Sequence, residues 1–171
     1  MAPVVRALER HARITSLVCV TAQHRQMLDQ VLNLFHIEPD LDLNLMQPDQ
    51  SVGDFAATVL AAVNGALDQL KPDVVLVQGD TTTASMAALA AFYRRIPVGH
   101  VEAGLRTNDP ANPFPEKINR RLADAVATWH FEPTKASVAA LKREGLAAKS
   151  VSRPTKAESP LACRLARRAL S

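Results

Sequence analysis

The sequence predicts an α/β protein in which a parallel, Rossmann-like sheet carries helices on both faces. Three observations lead to this prediction. Helical patterns alternate with short apolar, β-branched runs along residues 1–148. One helix lies between most runs and the next, as in βαβ units. The composition, 47% hydrophobic and 22% charged, is that of an ordinary globular domain.

The first part of the chain contains the patterns of three helices and two strands. Helices are predicted where apolar residues recur every three or four positions, and strands where apolar residues run together. Ser51 is a candidate N-cap with Asp54 three residues later, and Lys71-Pro72 ends that helix. The predicted helices span residues 2–11, 26–35 and 51–70, and the predicted strands span residues 14–20 and 41–45.

The second part repeats the alternation three more times. Alanines in the first of its helices permit close packing on a sheet, Thr134 is a candidate cap of the last helix, and Gly145 is its predicted stop. The predicted strands span residues 73–77, 96–101 and 127–131, and the predicted helices span residues 81–93, 116–125 and 134–144.

Both ends depart from a complete doubly wound domain. Such domains usually begin with a strand and a phosphate-facing turn, whereas a helix begins here at residue 2, so we expect the first strand to be missing. Residues 149–171 show no strand pattern and hold six basic residues against one acid, which leaves residues 1–148 with a net charge of −2. We therefore expect a partial domain over 1–148 and a basic, disordered tail over 149–171.

Several classes of protein are excluded by composition. No apolar run is long enough for a membrane span, and residues 1–13 lack the apolar core of a signal peptide. Cys19 and Cys163 form neither a disulfide framework nor a metal pattern, which favours a reducing, cytoplasmic location. The pI of about 9.1 comes from the basic tail, so it is no evidence of a nucleic-acid footprint on the body, and we expect no nucleic-acid partner.

Polar clusters follow the strands, at the edge where parallel sheets bind ligands. The first cluster, after residue 20, contains Gln23, His24 and Gln26 at the mouth of a helix. Taken alone, the cluster is better explained as a polar helix start capped by Thr21, since such caps are common. The second cluster, after residue 77, contains Asp80 and Thr81 before a helix. It predicts either an anion or sugar site or a plain helix cap formed by Asp80.

Two further clusters add carboxylates. Glu102 falls at the end of a buried strand, where partial removal from water suits a carboxylate to proton transfer, although an ion pair with Arg106 is an alternative. Glu116 lies in the first turn of a helix, where interaction with the helix dipole is sufficient to explain it. Together Asp80, Glu102 and Glu116 occupy three loops along one edge, where carboxylates can divide the roles of acid and base. The sequence contains no metal-ligand spacing.

The ordered motifs resemble the non-hydrolysing UDP-N-acetylglucosamine 2-epimerases. The resemblance covers roughly residues 1–148 and rests on the segments Val20-Thr21-Ala22-Gln23-His24-Arg25-Gln26, Val77-Gln78-Gly79-Asp80-Thr81-Thr82-Thr83, His100-Val101-Glu102-Ala103-Gly104-Leu105-Arg106, Pro115-Glu116 with Asn119-Arg120, and His130-Phe131 with Pro133-Thr134.

The resemblance implies the N-terminal half of a glycosyltransferase-B type fold and an isomerase that needs neither NAD nor a metal. It implies interconversion of UDP-GlcNAc and UDP-ManNAc by elimination and re-addition of UDP, for cell-surface polysaccharide precursors, in a homodimer when full length. By motif, Asp80, Glu102 and Glu116 are the essential carboxylates. Five residues are implied in substrate or allosteric UDP-sugar binding: Gln23, His24, Gln26, Thr81 and Arg106.

Departures from the family pattern lead to further expectations. The family's opening strand with its Gly-Thr-Arg-Pro-Glu turn and its UDP-binding second domain have no counterpart here, and Lys117 replaces the usual second Glu. We expect a truncated and inactive chain whose tail is read out of frame. The alternatives are a non-catalytic UDP-sugar-binding or regulatory fragment, a glycosyltransferase fragment, and a tail that forms a basic amphipathic helix.

Overall fold

The computed structural model describes residues 1–23, 25–107, 113–146 and 150–152. The chain divides into two compact units, one containing Met1–Phe55 and the other formed by Ala56–Thr155. Every strand pair in the described residues is parallel, and helices flank the sheets on both faces. The predicted fold class is therefore confirmed, although the strands form two separate ladders and not one.

The first unit is built on a two-stranded parallel ladder. Strand β1 pairs with β2 in the register Cys19↔Leu41. Its small core contains Ala2, Val5 and Ile37, against which Val18 and Leu32 pack. The elements are α1 (Ala2–Glu9), β1 (Cys19–Val20), α2 (Arg25–Leu34) and β2 (Leu41–Asp42).

One strand prediction for this unit needs correction, and the helix predicted over residues 26–35 is confirmed as α2. The strand predicted over residues 14–20 is only Cys19–Val20, since the ladder has just two residue pairs. Helix α2 has the predicted apolar spacing, yet none of its residues is buried. Met27 and Leu34 are 67% and 73% exposed, whereas Leu32 packs against the core of this unit, so only part of the apolar repeat of α2 faces that core.

The second unit is a four-stranded parallel sheet in the order β3-β4-β5-β6. Adjacent strands are in register over three or four residue pairs, for example Val77↔His100 and His100↔His130. The elements are α3 (Val52–Leu70), β3 (Val75–Gln78), α4 (Thr82–Tyr93), β4 (Val98–Val101), α5 (Glu116–Val126), β5 (Trp129–Glu132), α6 (Lys135–Arg143) and β6 (Ser150–Ser152).

Small residues allow the close packing of this unit. Alanines are the most numerous buried residues of α4, as predicted from its composition. In β4, a Cβ on Gly99 would lie 2.5 Å from Leu76 Cδ2 and 3.0 Å from Phe131 Cε2, so a larger residue would force the Leu76 side chain to shift. Helices α4 and α5 are joined through the buried Ser85 Oγ, which donates to Asn119 Oδ1 at 3.1 Å.

Local signals at the helix ends are confirmed. Thr134 Oγ1 accepts a hydrogen bond from Ser137 N, Ser51 Oγ accepts one from Asp54 N, and Gly145 follows α6 with φ at +74°. The prediction that no strand follows residue 149 is wrong, because Ser150–Ser152 pairs with β5. The rest of the predicted tail, residues 153–171, lies outside the described residues.

Candidate active site

The turn after β3 brings the backbone close to an acidic side chain. Gly79 has φ at +74°, which favours glycine, and its N–H donates to Val101 O at 3.0 Å. A Cβ at this position would lie 3.5 Å from Glu102 Oε2. The turns after β3 and β4 are therefore adjacent, and the Glu102 carboxylate lies against the Gly79 turn.

Asp80 does not cap the following helix. The N-cap of α4 is Thr81, whose Oγ1 accepts from Ala84 N at 3.1 Å, so the cap predicted at Asp80 is wrong. Asp80 instead pairs with Arg120 on α5 through a 2.5 Å contact between Oδ2 and Nη2. The Arg120 side chain is only 10% exposed, so this ion pair is partly shielded from water.

Glu102 occupies a constrained turn directly after β4. Its φ of +67° lies in the left-handed region, which is uncommon for a residue with a side chain and recurs at functional sites. Its N–H donates to Phe131 O at 3.0 Å, and its carbonyl accepts from Arg120 Nη1 at 2.5 Å. The alternative ion pair with Arg106 is wrong, because Arg106 pairs with Asp124 and Glu144.

Glu116 begins α5, one helical turn before Arg120. Residues four apart lie on the same side of a helix, so Glu116 and Arg120 are neighbours there. Glu116 Oε2 is buried and accepts no hydrogen bond from the described residues. The helix-dipole explanation agrees with its first-turn position, but it leaves this buried oxygen without a partner.

Arg120 thus connects the segments that carry the three predicted carboxylates. It contacts Asp80 through its side chain and Glu102 through its carbonyl, and it shares a helix side with Glu116. A carboxylate accepts a proton, and a carboxylic acid donates one, so such a group can perform acid–base chemistry on a ligand at this edge. Arg120 belongs to the Asn119-Arg120 motif of the resemblance, but no role was predicted for it; its spacing of four from Glu116 is the signal that points to this role.

A buried polar cluster lies behind these turns. His100 and Asp124 are completely buried, and His100 Nδ1 lies 2.6 Å from Asp124 Oδ1. Burial raises the pKa of Asp124, but the hydrogen bonds and charges of His100 and Arg106 outweigh it, so the pKa lies below its ordinary value. Arg106 is also bonded to Glu144 at 2.7 Å, which lowers the pKa of Glu144.

The remaining predicted binding residues are the three that follow β1. Gln23 and Gln26 belong to the first unit, where Gln23 is half-buried and Gln26 is exposed, and His24 lies outside the described residues. Between them, Arg25 forms two hydrogen bonds of 2.7 and 2.8 Å with Asp42. Helix α2 begins at Arg25, so Thr21 is too distant to cap it.

Two findings bear on the class of site. Within the described ranges, no group of three or more His, Cys, Asp or Glu side chains could hold a metal ion. Among the helices of the described residues, none has the length and hydrophobicity needed to cross a membrane.

Comparison with known proteins identifies relatives over most of the chain. The family profile described as UDP-N-acetylglucosamine 2-epimerase matches residues 6–153. A relative from Thermotoga maritima is 58% identical over 149 residues, 87% of this chain and 39% of its own length. The UDP-N-acetylglucosamine 2-epimerase of Neisseria meningitidis serogroup A is 55% identical over 137 residues, 80% of this chain and 37% of its own length.

A solved structure agrees in fold. The UDP-GlcNAc 2-epimerase from Neisseria meningitidis, crystallised with UDP-GlcNAc, superimposes with a TM-score of 0.85 at 51% identity. The match covers 89% of this chain and 41% of that one. The chain therefore spans about two fifths of the length of the curated relatives it matches.

Proposed function

This chain belongs to the UDP-N-acetylglucosamine 2-epimerase family, and from that premise we propose that it supplies the acid–base residues for interconversion of UDP-GlcNAc and UDP-ManNAc. The observation that carries the proposal is the convergence on Arg120 of the segments bearing Asp80, Glu102 and Glu116. The Neisseria relative, described as bound to UDP-GlcNAc, supports the choice of substrate.

The chemistry requires a base and an acid near the hexose. The hydrogen at C2 is weakly acidic, so a carboxylate accepts it while the C1–O bond breaks and UDP leaves with the bonding electrons. The product is 2-acetamidoglucal with a C1–C2 double bond. UDP then adds back at C1, and a carboxylic acid returns a proton to C2 from the opposite face. The step needs no oxidant, because its atoms and electrons balance without one.

The three carboxylates divide this work. Two of them exchange protons with the two faces of C2, and the third orients the hexose or the leaving group. Arg120 offsets their mutual repulsion, because its guanidinium lies against Asp80. Thr81 is proposed to contact the substrate from the start of α4, where the positive end of the helix dipole favours an anion.

Other parts of the proposal rest on sequence motifs. Gln23, His24 and Gln26 are proposed to bind a second, regulatory UDP-sugar, and Arg106 stays a prediction because its guanidinium already bonds Asp124 and Glu144. We also propose a cytoplasmic location, consistent with the free Cys19, a homodimer for the full-length enzyme, and no nucleic-acid partner.

Hydrogen exchange at C2 tests the proposal. In a chimera, residues 6–153 of this chain replace the matching segment of the Neisseria relative, and the enzyme acts on UDP-GlcNAc in deuterated water. We expect deuterium at C2, and a rate loss of about a hundredfold or more in D80N, E102Q and E116Q. The matched control is D68N, because Asp68 is also an arginine-paired carboxylate but lies on α3 against Arg94.

The outcomes separate the alternatives. Exchange at the parental rate in all three acid variants would refute the proposed roles. Saturable binding of UDP-GlcNAc by the folded chimera without exchange would favour a regulatory fragment, and transfer of the sugar to an acceptor would favour a glycosyltransferase. The same assay on the 171-residue chain tests the expected inactivity.

A further inference from the structure

One buried carboxylate connects all three acid-bearing segments of the second unit. Asp124 lies on α5, two helical turns after Glu116, and its side chain is completely buried. Its Oδ1 lies 2.6 Å from His100 Nδ1, and its Oδ2 accepts from Gly104 N at 3.3 Å. Gly104 closes the turn that begins at Glu102, so Asp124 holds that turn directly.

His100 extends the connection to the Asp80 turn. Its Nε2 lies 2.7 Å from the carbonyl oxygen of Gly79, the residue before Asp80. A carbonyl oxygen only accepts, so Nε2 carries a hydrogen and donates it. The opposite ring nitrogen faces the carboxylate of Asp124, and the ring therefore spans the distance from α5 to the peptide between Gly79 and Asp80.

We propose that Asp124 and His100 are positioning residues of this site: they fix the Asp80 and Glu102 turns to the helix that carries Glu116. The inference rests on the proposed function for what the three carboxylates do, but the geometry it claims stands apart from turnover. Arg106 contacts the second oxygen of Asp124 at 2.9 Å and completes its set of partners.

The proposal differs from a general contribution to stability. Any buried hydrogen-bonded pair stabilises a fold, and its loss weakens the whole unit. A positioning role adds direction, because each nitrogen of His100 serves a different partner. Losing the Nε2 donor must loosen the Gly79–Asp80 peptide, whereas losing only the Nδ1 donor must leave that peptide tethered.

Two substitutions of His100 separate these roles in the full 171-residue chain. H100Q places an amide donor near the position of Nε2, and H100N places one near the position of Nδ1. Amide hydrogen exchange by NMR reports each turn. The Gly79 amide, bonded to Val101 O, reports the Asp80 turn, and the Glu102 amide, bonded to Phe131 O, reports the Glu102 turn.

We expect the Gly79 amide to exchange about tenfold faster in H100N than in wild type, the factor that corresponds to one lost hydrogen bond. In H100Q it should stay within about twofold of the wild-type rate. D124N should accelerate exchange of the Glu102 amide by about tenfold. This variant leaves the side chains of His100 and Arg106 facing an amide in place of a carboxylate. If D124N does not fold, the comparison of H100N with H100Q tests the proposal.

The matched control is S85A, which removes a buried bond between α4 and α5 but no contact of His100 or Asp124. It should leave the ratio of Gly79 to Glu102 exchange rates unchanged. Equal acceleration of Gly79 in H100N and H100Q, or none in either, would overturn the positioning role. Absence of C2 exchange in the chimera would count against the proposed function only, since amide exchange requires no turnover.

Discussion

Substitution of Gly104 by alanine isolates the packing of the turn that carries Glu102. Gly104 has φ at +76°, and a Cβ there would lie 2.6 Å from the carbonyl oxygen of Ser137 and 2.9 Å from Leu141 Cγ. The Ser137 oxygen belongs to the backbone of α6, so the turn and the helix must move apart to accept a methyl group. We therefore expect G104A to destabilise the second unit strongly.

The magnitude follows from two additive costs. A left-handed backbone costs a residue with a Cβ about 1–2 kcal/mol. Forcing a methyl group into a filled site costs a further 1–3 kcal/mol or so. The free energy of unfolding should thus fall by about 2–5 kcal/mol in G104A.

Gly145 provides the matched control for the first cost alone. Its φ is +74°, and a Cβ there would meet nothing within 4 Å. G145A should lose only about 1–2 kcal/mol. Urea unfolding followed by far-UV circular dichroism measures both variants, with the slope m as a check on two-state behaviour. Equal losses in G104A and G145A would refute the packing of this turn against α6.

Three further predictions concern the same unit. Arg120→Met should lower the free energy of unfolding by about 2–3 kcal/mol, measured by urea titration, since two charge-assisted bonds are lost; a loss no larger than that of the exposed Arg121→Met would contradict this. The lowered pKa of Asp124 contributes stability that is present above the ordinary value of about 3.9 and is lost as pH falls through the lower folded value. D124N should therefore flatten the acid-side fall in melting temperature, and an unchanged slope would count against it. Thr134→Ala should lower the free energy of unfolding, measured in urea, by about 1 kcal/mol, because the α6 cap is lost. Thr134→Ser keeps the hydroxyl and should restore most of that loss; equal stability of all three proteins would show that the cap contributes nothing.

The alternation of patterns was sufficient to predict β3, β4, β5 and the helices α3 to α6 of the second unit, because these strands lie in largely apolar segments and the helices have start or stop signals in their sequence. The strand at Ser150–Ser152 was not predictable in this way. It contains two serines and one valine, and its pairing depends on backbone groups offered by β5, which sequence patterns do not report.

The candidate site shows a similar division. The positions of Asp80, Glu102 and Glu116 after strands and at a helix start follow from the sequence. The partners of these residues do not, since Asp80 and Thr81 are both good cap residues and only the backbone geometry of α4 selects Thr81. Arg106 likewise had a nearby acid in sequence, yet it pairs with Glu144, which lies 38 residues away.

The central claim is that three carboxyl groups surround one hexose. A crystal structure of the chimera with UDP-GlcNAc bound tests it most directly, because it gives the distance from each carboxyl group to the sugar. We expect Asp80, Glu102 and Glu116 all to lie within hydrogen-bond reach of the ring or its substituents, about 2.6–3.2 Å. A hexose seated away from Arg120, with any of these carboxyl groups directed to another face of the unit, would contradict it.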